Sequence, residues 1–118
     1  MANKAAGELD IELDGKTYTL RPSYAAVIEF EDAGISVFEA MKAVGEKQSV
    51  PLRRVALAFY VCIKAGLKPS NGKAPTQEEV GQAIRKDGIG AHISSYVTLL
   101  TNMLTGERAL EDAQKGNG

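Results

Sequence analysis

Hydrophobic and polar positions alternate strictly from Glu8 to Leu13, with Leu9, Ile11 and Leu13 on one side and Glu8, Asp10 and Glu12 on the other. A period of two is that of a strand with one buried face. Thr17 to Leu20 supplies a partner run, and Asp14-Gly15 stands between the two. That dipeptide is a hairpin signal, because glycine accepts the positive φ that tight turns need. A lone hairpin is marginal in water, so its apolar side must rest on helices.

After Arg21-Pro22 the period changes. Proline biases Arg21 toward extended geometry and can itself open a helix. Tyr24, Val27 and Ile28 then follow helical spacing, and Gly34 supplies a stop. Ser36 and Glu39 form a capping-box pair ahead of the stripe Val37, Phe38, Met41 and Val44, which Gly45 ends. A polar connector, EKQSVP, leads to the strongest pattern in the chain. Leu52, Val55, Ala56, Phe59, Ile63 and Leu67 recur at three- and four-residue steps, while Leu57, Tyr60, Val61 and Cys62 make the opposite face apolar too. A helix apolar nearly all round is a central one.

The segment KPSNGKAP reads as a loop. Thr76 and Glu79 are a second capping box, opening a helix with Val80, Ala83 and Ile84 inward. Gly88 and Gly90 break the chain before a last helix carrying Ile89 or Ile93, then Tyr96, Val97, Leu100, Met103 and Leu104. The expectation is an α+β fold, mainly α: an N-terminal antiparallel hairpin packed on about five short helices. Residues 1–7 form a flexible lead, 8–105 a single domain, and 106–118, with its weak periodicity, a fraying tail.

At 118 residues the chain can bury a modest core without disulfides, and Cys62, its one cysteine, cannot form an internal one. Lying in an apolar run, that thiol reads as a small hydrophobe rather than a nucleophile. Fourteen Lys and Arg against 15 Asp and Glu leave no basic footprint of the kind nucleic acid requires. No apolar stretch approaches the roughly 20 residues of a membrane span, and the acidic N-terminal region does not read as a signal peptide. A soluble protein of the cytoplasm is expected.

Candidate chemistry is sparse. GLKPSNGKA departs from a phosphate loop in glycine spacing, and Ala74 replaces the metal-binding hydroxyl. GIGAHI has Ile93 where a dinucleotide fingerprint needs its third glycine. The lone His92 has only Ser94 and Ser95 nearby, which build no triad, and a metal site would need further ligands. It reads as a solvated or capping histidine. Glu29, Glu31 and Asp32 form an acidic cluster in which Glu29 and Asp32 lie one turn apart. A solvated face, a partner patch and acid–base chemistry are the three readings, the last making a small enzyme. No catalytic, cofactor or metal site is assigned.

The stretch GELDIELDGKTYTLRPSYAAVIEFEDAGIS resembles the N-terminal region of a family of small proteins encoded among the tail genes of tailed bacteriophages and gene transfer agents. The matching residues are Glu12 to Gly15, Tyr18, Leu20 to Ser23, Ile28-Glu29 and Gly34, and PTQEEVGQAI downstream fits the same pattern. The resemblance implies a non-enzymatic tail assembly chaperone that engages the tape measure protein during tail morphogenesis. Its alternative is a structural tail tube or neck subunit forming rings, hence a homo-oligomer. On either reading an edge near Tyr96, Leu100 and Met103, flanked by Glu29, Glu31 and Asp32, is the expected partner surface.

Overall fold

The computed structural model of the chain describes residues 2–46, 50–67 and 72–116. The connector residues 47–49 and the loop residues 68–71 lie outside the described set. The fold is α+β and mainly helical, as the periodicities predict.

The hairpin pairs β1 (Leu9–Leu13) with β2 (Lys16–Leu20), Leu9 opposite Leu20 and Ile11 opposite Tyr18. Asp14 (φ 49°) and Gly15 (φ 81°) both have positive φ, the signature of a type I′ turn, whose twist matches that of the flanking strands. Ile11, Leu13 and Leu20 are buried and Leu9 packs on the core from its edge.

Helix α1 (Tyr24–Glu31) departs from expectation at both its start and its face. Pro22 does not open the helix as its first residue: Ser23 is the N-cap, its Oγ accepting the Ala26 N–H at 3.2 Å, and Tyr24 comes first. A hydroxyl can satisfy an orphan helix donor, so proline is left to shape the approach from outside. The buried residues are Ala26 and Phe30; Tyr24 is 84% exposed and Ile28 38%. Phe30 buries more apolar area than any other side chain of this helix, and its phase sets which face goes in.

Helix α2 (Val37–Gly45) is capped by Ser36, but the box is incomplete. Glu39 takes the Ser36 hydroxyl at 3.2 Å rather than the Ser36 N–H. Val37 and Ala40 are buried, whereas Phe38, expected in the apolar stripe, is 66% exposed. Helix α3 (Leu52–Gly66) is the central element, packed by the hairpin, α1, α4 and α5. Its buried residues Val55, Ala56, Ala58, Phe59, Val61, Cys62 and Ile63 cover most of its circumference.

The hairpin is fastened to α3 at two points. The Arg21 N–H donates to the Cys62 carbonyl at 3.0 Å, and Thr19 O lies so near Gly66 that a Cβ there would stand 2.6 Å from it. Helix α4 (Gln77–Asp87) opens with a complete capping box, Thr76 N–H to Glu79 at 2.9 Å and Glu79 N–H to Thr76 at 3.1 Å. Hydrogen bonds from Thr76, that of its backbone N–H foremost, hold the Glu79 carboxyl below its usual range. Helix α5 (Ile93–Leu104) follows a single 3₁₀ turn.

Both chain ends carry regular structure that the sequence pattern does not suggest. Lys4–Ala6 form a 3₁₀ turn capped by Asn3, and residues Glu107–Gly116 form a sixth helix, α6, packed on that turn. Asn102 Nδ2 donates to Gly7 O at 2.9 Å, and Leu110 lies against Gly7. Leu110 alone supplies little periodicity, so the packing is invisible until both ends of the chain are brought together.

Candidate functional site

The acidic cluster is divided among three jobs. Glu29 pairs with Lys64 of α3, its two oxygens 3.0 and 2.8 Å from Nζ, and Lys64 lies 4.5 Å above the Tyr60 ring. The hydrogen bond to Glu29 raises the Lys64 pKa. Both partners are substantially exposed, so the pair aligns α1 on α3 more than it stabilises the fold. Glu31 turns the other way and accepts the Val37 N–H at 2.9 Å, meeting one of the orphan donors of α2. Asp32 occupies the C-cap of α1, exposed and without a partner among the described residues. No carboxylate pair results, because Glu29 and Glu31 are each committed to another element.

The expected edge on α5 is largely closed. Tyr96 is 1% exposed and Leu100 0%, both inside the protein's own core. Helix α2 packs on α5 and buries Val37 and Ala40 with it, which covers the stripe read as open. Met103 is half-buried at its margin, and Leu104, one residue on, is 47% exposed. Phe38 on the packed helix α2 and Leu104 on α5 are therefore the large apolar side chains left to solvent in this layer, together with Tyr24 and Ile28 on α1.

His92 is not solvated, and although it holds the N-cap position of α5, its side chain makes no capping hydrogen bond there. It is 5% exposed, its Nε2 lies 2.8 Å from Asp87 Oδ2, and its ring meets Phe59 edge-on with centroids 5.8 Å apart. The same Asp87 oxygen accepts the Asp14 N–H from the hairpin tip at 3.1 Å. These hydrogen bonds, that from Asp14 foremost, lower the Asp87 pKa. The cluster joins hairpin tip, α4 and α5, and nothing in it resembles a nucleophile with its base. Asp87, five residues upstream of His92 with Gly88 and Gly90 between, was the sequence signal that could have found it.

Burial pushes the Cys62 thiol up to about 12, so it stays protonated as a core hydrophobe. Among the described residues no three His, Cys, Asp or Glu side chains gather as a metal site, and no helix is long and apolar enough to cross a membrane. Comparison with family models, with curated proteins and with solved structures finds no match to this chain.

Proposed function

We propose that this chain is a non-enzymatic tail assembly protein of phage type, a chaperone that binds a helical segment of the tape measure protein during tail morphogenesis. The reading starts from the resemblance carried by the hairpin, Arg21-Pro22-Ser23 and the capped helix at Thr76. The observation that supports it most is the exposure of Phe38 and Leu104 on two helices packed against each other. Large apolar side chains held outward on packed helices are what a helix-binding surface needs.

The test is a pull-down of tape measure fragments by the full chain, by Phe38→Asp and by Leu104→Asp. Circular dichroism establishes that each variant folds. Neither side chain is in the core, so folding should be unchanged while capture drops at least about tenfold, as for truncated interface anchors. Full capture by both folded variants would remove this layer from the function. A ring-forming tail or neck subunit is the second reading, favoured by a pair of complementary surfaces elsewhere on the chain.

A further inference from the structure

A groove runs between α3 and α4, floored by Leu52, Ala56 and Gly81 and bordered by Arg53, Arg85 and Glu78. Its volume of about 470 Å³ is in the range of binding clefts. Glu78 is engaged by Gln82 Nε2 at 3.5 Å, whereas Arg53 and Arg85 have no partner among the described residues. Gly81 sits in the interior of α4, where glycine weakens a helix relative to alanine. Packing does not demand it: a Cβ at Gly81 would meet Ala56 Cβ at 3.7 Å, an ordinary contact. Its missing side chain instead leaves the groove open.

The complement of this groove is on the same chain. Tyr24, Ile28 and Asp32 follow one another at four-residue steps, so they share the outer face of α1. Two are large apolar side chains exposed to water, and the third is an unpaired carboxylate. Apolar floor meets apolar ridge, and unpaired guanidinium meets unpaired carboxylate. The two surfaces cannot meet within one molecule. Helix α1 is fixed on α3, burying Ala26 and Phe30, and among the described residues it has no substantial packing on α4.

We infer that the outer face of α1, Tyr24–Ile28–Asp32, docks in the α3/α4 groove of a second copy of this chain, with Asp32 against Arg53 or Arg85. The two patches differ, so the contact is heterologous: it propagates head to tail and closes into a ring or grows as a filament. This inference is independent of the tape measure reading, since it uses neither Phe38 nor Leu104 and needs no second protein.

Sedimentation velocity of the full chain from micromolar to millimolar concentration tests it. The wild type should grow in sedimentation coefficient with concentration, and added salt should weaken that growth. Asp32→Arg should weaken association at least about tenfold, the scale of a reversed interfacial charge. Adding Arg53→Glu or Arg85→Glu to it should restore association. Gly81→Leu, which fills the groove, should abolish association while circular dichroism stays native; if it unfolds, the charge-reversal pair alone decides. A wild type monomeric throughout, or recovery with neither arginine reversal, would overturn the proposal.

Discussion

Helices α1 and α3 are both apolar over most of their circumference, yet they place their apolar residues in opposite ways. Helix α3 has neighbours nearly all round and buries seven of its fifteen residues. Helix α1 rests chiefly on α3 and buries two of eight, leaving Tyr24 and Ile28 in water. In α3 almost any rotation would bury something apolar, so its role is readable from composition. In α1 one face must be chosen, and Phe30 with Ala26 prevails over Tyr24 with Ile28. Apolar content reports that a helix is wanted by something; the number of neighbours decides whether that something is the protein itself.

The widest contrast should come from two aromatic deletions. Phe59 is fully buried and also supports His92, so Phe59→Ala should cost about 3–5 kcal/mol in urea denaturation. Tyr24→Ala should stay within about 0.5 kcal/mol, as surface substitutions do. Equal costs would break the comparison, because they would mean that the outer face of α1 is covered in the monomer.

Legibility follows the same division. The hairpin, its turn and the Thr76 capping box are local chemistry, in which residues close in the chain, from Thr76 and Glu79 to Leu9 and Leu20, satisfy each other, and the structure places each where the pattern does. The central role of α3 was readable because its apolar residues exceed what one face can hold. The burial of Tyr96 and Leu100 was not legible in the α5 stripe because its closure depends on α2, some 50 residues earlier in the chain. Helix α6 was missed for the same reason, since it packs on the N-terminal 3₁₀ turn. His92 had a local cue in Asp87, but the burial that comes with the cluster depends on Phe59 and on the hairpin tip, where the Asp14 N–H reaches the same Asp87 oxygen from 73 residues away.

Gly66 sharpens the account of how the hairpin meets α3. A methyl at this position would stand 2.6 Å from the Thr19 carbonyl oxygen, and both sides of that contact are backbone. The strand must move away, and the Arg21–Cys62 hydrogen bond beside it must lengthen. Gly66→Ala should therefore destabilise by about 1–3 kcal/mol, the scale of overpacking, despite the better helix propensity of alanine. Thermal denaturation unchanged by the substitution would show that the strand does not approach so closely.

The tip of the hairpin is held by polar contacts instead of burial, and its weakness should show in acid. The Asp14 N–H and His92 lower the Asp87 pKa in the folded protein from its ordinary value of 3.8. A carboxyl depressed on folding contributes stability that is present above its unfolded pKa and is lost as pH falls through the folded one. Wild type should thus lose more melting temperature than Asp87→Asn as the pH falls below about 5, and the gap should narrow as Asp87 protonates in the folded protein. Parallel curves would mean that Asp87 does not titrate against folding.

The smallest effect discriminates best, since it makes the Gly66 substitution again at a site where the physics reverses. Gly81 is interior to α4, its added Cβ would find only the Ala56 methyl at 3.7 Å, and no backbone stands in the way. Gly81→Ala should therefore stabilise the monomer by about 0.5–1 kcal/mol, through helix propensity and a less flexible unfolded chain. In a domain of this size that raises the melting temperature by about 2–6 °C. The same methyl narrows the floor of the α3/α4 groove, so head-to-tail association should weaken in the variant that folds better. Stability and assembly moving in opposite directions is the pattern expected of a glycine kept for a surface. If Gly81→Ala destabilises instead, α4 needs that glycine to lie against α3, and the groove is a by-product of packing.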